Sequence, residues 1–517
     1  MKKLIYIVTY MILLFLLIFP VSGWGETYFL RADGSGNKAA ATGSGTGACD
    51  AAGTAMSIAT HDGETYTAGD TIYLCDTGGV FRDRMDIPSS GSNGSPITYT
   101  AASGDTPIIG SALVTGWAVY DESTTYIAED IGCDARSYNK TTMVVEGGDT
   151  QLTYNADKDA LAAGEFYHNN TDDDLYVHLA GDADPSGTTI EADIHHTAVY
   201  ATGKDYINMS GLTIRGQLYG IYLFRGNDYW NFTDNNLYYI GSHAIKLEGE
   251  GGAGNTYNTL EGNNIQYNGG SGLAEANPFA IRIDGASNNN TISKNRTQDI
   301  EWGSVFQTDS DSNVYQYNYF ESDGSNAFTL TDSVGDGSDN NILYSNVIIS
   351  NNGDYDVILA FWDASTGNIA YGNTIIGGAD FGFDVGATAT GSIFKNNIIS
   401  NTTTAIRVAD GGDVDFDSDY NVIYSTVRVG SWKGDNQASL NDWQTASGGD
   451  ANSIASDPLL NADYTLAPNS PAQNTAVYIP GYTTKLQPTS SWPDAVLTME
   501  DILSIGAYGV YRGAAGM

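Results

Sequence analysis

Residues 314–348 read VYQYNYFESDGSNAFTLTDSVGDGSDNNILYSNVI, and this stretch carries the pattern that decides the fold. One strand-like run leads into Tyr317-Asn318-Tyr319-Phe320, and a second, 28 residues later, leads into Ser345-Asn346-Val347-Ile348. Each copy places an Asn two positions before an apolar residue, after residue types that favour strands. Recurrence at such an interval indicates a repeat architecture, which has to be settled before any motif is interpreted.

The same pattern recurs eight times between residues 206 and 425. Its Asn residues are Asn235, Asn263, Asn295, Asn318, Asn346, Asn373, Asn397 and Asn421, at spacings of 28, 32, 23, 28, 27, 24 and 24. Between them lie short runs of alternating apolar and variable residues without helical periodicity, as expected of strands with one buried face. A propeller blade would need about 40 residues, and a leucine-rich repeat would need Leu at fixed offsets. Neither fits this sequence.

A right-handed parallel β-helix fits all of these observations, because each turn supplies short strands that stack on the next turn about 4.8 Å away. We therefore predict an all-β solenoid with about eight or more coils. In such a fold the Asn column has a structural purpose: Asn tolerates a left-handed corner, and its amide can hydrogen-bond the Asn residues above and below. We expect this ladder to stabilise the fold rather than to take part in catalysis.

Composition limits the possible partners and the means of stabilisation. The chain has 62 acidic against 22 basic residues and a formal net charge of −40, which argues against nucleic acid as a partner because phosphate binding needs a cationic surface. Three cysteines are too few for a disulfide framework. One bridge, Cys49 to Cys75 near the N-terminus, is our expectation. Three free thiols, counting Cys133, are the alternative.

Residues 1–23 have the features of a secretory signal peptide. Lys2 and Lys3 precede an apolar run from Leu4 to Phe19, and small residues follow at Val21-Ser22-Gly23. We expect cleavage there, no membrane span in the remaining chain, and a secreted, periplasmic or cell-surface monomer.

The rest of the chain divides into four predicted regions. Residues 24–112 hold an N-terminal cap, with a capping helix between Ala48 and His61, and the first coils. Residues 113–197 interrupt the coils as an inserted β subdomain, in which Phe166-Tyr167-His168 and Leu175 to Leu179 form a hairpin. Residues 198–430 are the central repeats. Residues 431–517 are the last coils and a cap that includes a short helix with Ser439 as its N-cap.

Strings at both ends of the chain are similar to those of one known group. Gly69-Asp70-Thr71-Ile72-Tyr73-Leu74 near the start, and Asp457-Pro458-Leu459 with Ile505-Gly506-Ala507-Tyr508 near the end, resemble the opening and closing coils of the secreted right-handed β-helix proteins of the pectate-lyase-like superfamily. The resemblance covers most of the chain and implies the fold. For activity it leaves a choice, because the group contains polysaccharide lyases, glycosidases, epimerases and adhesins.

Stacked strands would align their outward residues in columns. One column is predicted to contain Tyr222, Lys246, Arg282, Phe306 and Thr329, and the next Phe224, Glu248, Asp284, Thr308 and Thr331. With His243, Glu250 and Asp309 beside them, the two columns form the densest mixed-charge patch of the chain. The patch could equally be a set of surface salt bridges.

Two chemistries suit this patch. In a β-eliminating lyase, Lys246 would be the base, Arg282 would clamp the uronate carboxylate, and Glu248, Glu250 and Asp284 would hold Ca²⁺. The resemblance supports this assignment, because β-helical polysaccharide lyases use Lys and Arg on neighbouring coils together with Ca²⁺. In a glycoside hydrolase the carboxylates act instead. Glu248 and Asp284 on adjacent turns would lie about 5 Å apart, the separation of retaining enzymes, whereas a pair with Asp309 would suit inversion. His243 completes the candidate catalytic residues.

Three further features bear on ligands. Asp413, Asp415, Asp417 and Asp419 alternate, so on a strand they would share one face and could hold a structural Ca²⁺. Trp302, Phe306 and Trp362 are candidates for stacking on sugar rings. The pair His195-His196 has neither a third ligand nor metal-site spacing in the sequence, so we predict a loop there.

From the sequence we expect a protein that binds a polysaccharide and degrades it, by β-elimination or by glycoside hydrolysis, with Ca²⁺ as the possible cofactor. The rival hypothesis is a non-catalytic surface or adhesive β-helix. Convergence of Lys246, Arg282, Glu248 and Asp284 in a groove would favour the enzyme, and their scatter over different faces would favour the rival.

Overall fold

A computed structural model describes most of the chain. The described residues are 25–43, 49–121, 124–133, 144–148, 150–169, 171–269, 277–324, 326–332, 337–351, 357–480, 482, 484–487, 495–498 and 505–507. The predicted signal peptide lies outside them. No helix in the described ranges combines the length and the apolar character needed to cross a membrane.

The described chain is nearly all β and winds as a parallel solenoid with three sheets. The first sheet contains 12 strands in parallel register, one from each successive turn, so the number of coils exceeds the predicted eight. Its strands are Thr27–Leu30, Thr71–Leu74, Ile97–Ala101, Ile207–Ser210, Asn231–Thr233, Thr259–Glu261, Thr291–Ser293, Val314–Gln316, Ile342–Tyr344, Ile369–Tyr371, Ile393–Lys395 and Asp417–Asp419.

The second and third sheets cover the other two faces of the solenoid. The second comprises Ile108–Ile109, Thr213–Arg215, Asn236–Tyr238, Asn264–Asn268, Arg296–Ile300, Tyr319–Ser322, Val347–Ser350, Thr374–Gly377 and Ile454–Ala455. The third comprises Met85–Asp86, Thr197–Ala201, Tyr219–Phe224, His243–Glu248, Phe279–Asp284, Gly303–Thr308, Asn326–Thr331, Val357–Phe361 and Phe381–Val385. The long strands Ile398–Val408 and Val422–Trp432 pass from the second sheet into the third, and Asp435–Gln437 folds back antiparallel on the latter strand.

An inserted subdomain interrupts the coils before the third sheet resumes at Thr197. Its strands are Ala112–Val114, Ala118–Asp121, Thr125–Ala128, Val144–Glu146, Thr150–Gln151, Thr153–Tyr154, Glu165–Asn169, Asp174–His178 and Ile190–Ala192, with 3₁₀ turns at Lys158–Ala160, Ala180–Asp182 and Pro185–Gly187. The predicted hairpin is confirmed, since Glu165–Asn169 pairs antiparallel with Asp174–His178. Buried Glu191 accepts hydrogen bonds from Arg82 at 2.9 Å and from Arg215 at 3.1 Å, which fixes the insert against the solenoid.

Short helices cover the solenoid ends. At the N-terminal end the predicted capping helix is present but shorter than expected. An α-helix occupies Ile58–Asp62, and a 3₁₀ turn at Ala52–Thr54 is separate from it because Met56 pairs its backbone with the first strand; Ala48 lies outside the described residues. At the other end the prediction is confirmed, with a helix at Leu440–Ser447 capped by the Ser439 side chain.

Cys49 and Cys75 form the expected disulfide, and Cys133 is free. A further antiparallel pair joins Thr484–Gln487 to Ala495–Thr498.

The predicted Asn ladder is confirmed over all eight turns. Each buried side-chain amide donates to the Oδ1 atom of the next Asn, at 2.8 to 3.4 Å from Asn235 to Asn421. The left-handed corner, however, lies one residue earlier than expected: the residue before each ladder Asn has φ between 52° and 67°, as at Tyr317 and Ser345. Placing the turn there aims the Asn amide inward along the stack.

A second polar column lines another corner inside the solenoid. The Oδ1 atoms of Asn290 and Asn313 accept from the backbone N of Asn258 and Asn290 at 2.9 and 2.7 Å, and Asn341 and Asn368 continue the column. Between the two columns, one apolar cluster extends from Tyr28 to Trp443. The solenoid is therefore a rigid support, and its outward side chains hold fixed positions from coil to coil.

Candidate functional site

The third sheet aligns the predicted columns in register. Lys246 pairs in register with Tyr222 on one side and with Arg282 on the other, and Glu248 pairs with Asp284 on the adjacent strand. The columns continue through Phe306 and Thr308 as expected. The four charged residues therefore form a compact square, called here the charged quartet, made of Lys246, Glu248, Arg282 and Asp284.

Within the charged quartet, opposite charges pair along each strand. Lys246 Nζ lies 2.5 Å from Glu248 Oε2, and Arg282 Nε lies 2.6 Å from Asp284 Oδ2. The Tyr222 hydroxyl also donates to Glu248 Oε2, at 2.5 Å. The Lys246 ammonium lies over the rings of Tyr219 and Tyr222, at 5.3 and 5.0 Å from their centroids. Both cations are thus held by carboxylates.

The two carboxyl groups are in different electrostatic states. Burial alone would raise the pKa of Glu248, but the Lys246 charge and the hydrogen bonds from Lys246 and Tyr222 lower it below its ordinary value. Burial raises the pKa of Asp284 above its ordinary value despite the nearby charges of Arg282 and Lys246. Asp284 Oδ1 is buried and has no hydrogen-bond partner. Glu248 is therefore the stable carboxylate, and Asp284 is the group that retains a proton more readily.

His243 lies beneath the charged quartet rather than in contact with solvent. Its ring is buried, its Nδ1 atom accepts from the backbone N–H of Phe279 at 3.3 Å, and its Nε2 atom lies 3.3 Å from Arg282 Nη1. Burial lowers the pKa of His243 well below its ordinary value, and the charges of Arg282 and Lys246 add to the effect. Among the candidate catalytic residues, His243 is thus a neutral group buried next to Arg282.

A cleft of about 340 Å³ opens beside the charged quartet. Lys246 and Glu248 line it, together with the aromatic side chains of Tyr200, Tyr219, Tyr222 and Phe224. Arg84 lines the opposite part and pairs with Asp86 at 2.6 Å. His195 and His196, in the loop that ends the insert, form a wall. Aromatic faces beside a few polar groups suit a carbohydrate ring.

The aromatic residues that the sequence suggested for sugar stacking lie outside this cleft. Trp302 lies in the bend before Gly303–Thr308. Trp362 follows the third strand beyond that of Arg282 and donates from Nε1 to Asp384 on the fourth. Phe306 packs on Phe279 with ring centroids 4.9 Å apart. None of the three is among the residues that line the cleft.

The aromatic residues that do line the cleft were partly detectable in the sequence. Tyr200 pairs in register with Tyr222, so extending the predicted column one turn toward the N-terminus finds it. Arg84 and His195 could not have been found in this way, because the insert separates them in sequence from the coils that they approach.

Glu250 lies apart from the other two predicted Ca²⁺ ligands of the patch. It pairs with Arg225 and lines a separate cleft of about 480 Å³, while Glu248 and Asp284 are held by cations of the quartet. Within the described ranges, the clusters of three or more metal-ligating side chains include none of these three carboxylates. Asp309, the predicted partner for inversion, lines the same separate cleft as Glu250.

The acidic row is not one strand face, which corrects the sequence interpretation. Asp413 and Asp415 lie in a turn, and only Asp417 and Asp419 belong to a strand. Lys433 Nζ lies 2.6 Å from Asp413 Oδ2, and Lys395 pairs with Asp417. Because the turn bends the chain and lysines neutralise part of the row, the alternation seen in the sequence does not produce a four-carboxylate site.

Comparison with known proteins agrees with the architecture. Residues 279–442 match the family described as the right-handed beta helix region. We found no curated protein whose sequence matches the chain. XylC in its complex with xylose is similar over 78% of this chain and 69% of its own, with 13% identity and a TM-score of 0.52. Pectate lyase Pel9A is similar over 93% of this chain and 96% of its own, with 12% identity and a TM-score of 0.50. At such identities the likeness concerns the fold alone, and the chain has a right-handed parallel β-helix fold similar to that of pectate lyase Pel9A.

Proposed function

We propose that this protein binds a neutral glycan in the cleft of the third sheet and hydrolyses a glycosidic bond with Glu248 and Asp284. One observation carries the proposal: these two carboxyl groups are register partners on adjacent turns, and their surroundings push their pKa values in opposite directions. A pair of titratable groups with divergent pKa values is the arrangement that separates an acid from a base or nucleophile.

The roles follow from the two environments. Asp284 keeps its proton more readily and would donate it to the oxygen of the leaving sugar. Glu248 is ionised, is stabilised by Tyr222 and Lys246, and lines the cleft, so it would attack the anomeric carbon. Neighbouring strands of a sheet lie about 5 Å apart, which is the carboxyl separation of retaining glycosidases. We therefore expect retention of the anomeric configuration.

Charge supports a neutral substrate. The chain carries a net charge of −40, which repels polyanions unless a local cationic patch overrides the field. Two cations that line the cleft are already paired, Lys246 with Glu248 and Arg84 with Asp86. A uronate carboxylate would have to compete with these partners, whereas a neutral sugar can stack on the tyrosine rings without displacing them.

β-Elimination is the second candidate, because Lys246 and Arg282 are adjacent in register and could face an acidic sugar together. For this chemistry Lys246 would have to leave Glu248 and lose its proton. Calcium would have to find ligands outside the carboxylates of the quartet, since cations already hold both of them. These two requirements place elimination second.

The test is to incubate the purified protein with neutral glycans such as xylan and mannan and with acidic ones such as polygalacturonate and alginate, with Ca²⁺ or with chelator. We expect new reducing ends from a neutral glycan, no unsaturated uronate, and no dependence on Ca²⁺. Glu248→Gln and Asp284→Asn should each lower the rate by at least about 100-fold.

Glu261→Gln is the matched control. It removes a similarly exposed carboxylate that pairs with Lys294 at 2.6 Å on the first sheet, away from the cleft, so its rate should equal that of the unchanged protein. Unsaturated product that depends on Ca²⁺ would overturn hydrolysis in favour of elimination. Saturable glycan binding without any product would support the non-catalytic alternative.

A further inference from the structure

Side chains from separate parts of the chain meet at Cys133, where the insert joins the solenoid. Cys133 Sγ lies 3.7 Å from His196 Nε2, and the backbone N–H of Cys133 donates to Asp173 Oδ2 at 2.7 Å. The second oxygen of Asp173, Oδ1, lies 2.9 Å from His168 Nε2. The ligand atoms of Cys133, His168 and Asp173 all lie within 4.8 Å of one another. One thiol, one imidazole and one carboxylate thus lie around a common point, and the second imidazole, that of His196, lies beside the thiol.

The spacing suits a tetrahedral metal ion. Bonds of about 2.3 Å to sulfur and about 2.0 Å to nitrogen at the tetrahedral angle put the two ligand atoms about 3.6 Å apart. The Cys133 and His196 atoms already have this separation within about 0.1 Å. The Asp173 and His168 atoms would have to move apart by about 0.5 Å to reach their tetrahedral spacing.

The surroundings favour an ordered site over a chance cluster. His168 and His196 are buried, at 2% and 6% exposure, while Cys133 is half-buried and leaves a path for an ion. The Nδ1 atom of His196 is buried and makes no hydrogen bond, with fully buried Asp193 3.8 Å away. A carboxylate that accepts from the second ring nitrogen is the usual support of a metal-bound histidine, and Asp193 would reach hydrogen-bond distance after a shift of about 1 Å.

We propose that Cys133, His168 and Asp173 bind a divalent transition metal ion of the zinc type, and that His196, whose Nε2 atom lies 3.7 Å from the thiol, moves in as the fourth ligand. The mixed sulfur, nitrogen and oxygen donor set selects such an ion over Ca²⁺ or Mg²⁺, which prefer oxygen. Four protein ligands close the coordination shell, so the site is structural. On binding, Cys133 loses its thiol proton to solvent and coordinates as thiolate.

The metal would tie the insert to the third sheet. His168 and Asp173 belong to the insert hairpin, whereas His196 directly precedes the strand Thr197–Ala201. His196 and Thr197 also line the cleft, so the ion would fix the position of one cleft wall. The metal site is inferred from the distances between its ligand atoms and does not depend on the proposed hydrolysis.

The experiment uses the full, untagged protein after dialysis against chelator, with Zn²⁺ followed by calorimetry and Co²⁺ followed by absorbance. We expect one ion per chain and a sulfur-to-cobalt charge-transfer band, which Cys133 alone can supply because the other two cysteines form a disulfide. Cys133→Ser should abolish the band and His168→Asn the stoichiometric binding. Asp193→Asn should weaken the affinity about 10- to 100-fold.

His178→Gln is the matched control, since His178 lies in the same hairpin but bonds Leu161 and Asp182 outside the cluster. It should bind one ion like the unchanged protein. Circular dichroism of each variant checks that the solenoid is folded. Binding of less than a tenth of an equivalent by the unchanged protein would overturn the proposal, as would a thiolate band that survives in Cys133→Ser.

Discussion

The Asn ladder makes a sharp prediction about stability, which we develop for Asn318→Ala. The Asn318 amide donates to Asn346 Oδ1 at 2.8 Å and to the carbonyl oxygen of Ile292 at 2.9 Å. Its Oδ1 atom accepts from the backbone N and from Nδ2 of Asn295, at 2.9 and 3.1 Å. The substitution removes all four bonds and leaves a buried N–H of Asn295 without its acceptor.

The magnitude follows from this count. A typical intramolecular hydrogen bond contributes about 1 kcal/mol net, so four bonds give about 4 kcal/mol. An unsatisfied buried donor adds to the loss, whereas local relaxation of the coil reduces it. Domains are stable by only about 5–15 kcal/mol, so the substitution should remove a large fraction of the free energy of unfolding.

The assay is urea unfolding of the full chain followed by circular dichroism, with midpoints compared at equal slope. Asn231→Ala is the control, because its amide donates to Asn208 Oδ1 at a similar 2.8 Å but at an exposed position. We expect a loss below about 0.5 kcal/mol for this control. If the two variants lose stability within about 1 kcal/mol of each other, the buried ladder is not a main source of stability and our reasoning fails.

Three further predictions concern the site and the N-terminal cap. Burial keeps His243 neutral in the folded chain, whereas in the unfolded chain the same imidazole binds a proton below about pH 6.5. Protonation therefore stabilises the unfolded state, and the thermal stability should fall as the pH falls through this range. His243→Asn should flatten that slope, and an unchanged slope would contradict the assignment. Replacing both Cys49 and Cys75 by Ala opens a span of 26 residues and should cost about 3 kcal/mol in urea unfolding; a cost near zero would mean that the bridge constrains little. Tyr219→Ala should raise KM for the glycan about threefold to tenfold at similar kcat through lost ring stacking, whereas Trp362→Ala should leave KM unchanged, and the reverse pattern would move the binding site.

The sequence was sufficient for the periodic parts of the molecule. The Asn spacing predicted the solenoid, and the outward columns of Lys246 with Arg282 and of Glu248 with Asp284 were predicted residue by residue, since stacking repeats fixes which residues become neighbours. Local signals were equally reliable where they acted alone, as for the Ser439 cap.

Where distant segments compete, the sequence was misleading. Backbone pairing of Met56 with the first strand shortened the predicted N-terminal helix, and a turn through Asp413 and Asp415 dispersed the acidic row. Local propensity and alternation contribute less free energy than strand pairing and the packing of a turn. Neither outcome could therefore be derived from the residues alone.

The sequence by itself therefore determined the solenoid, its Asn ladder and the composition of the charged quartet, because each depends on contacts between equivalent positions of adjacent repeats. Only the tertiary structure decided which aromatic residues border the quartet, that both of its cations are already neutralised, and that His196 meets Cys133. The contact of His196 with Cys133 joins the insert to the coils, and no periodicity relates an insertion to the repeat that it interrupts. Their geometry is set by how the two parts pack.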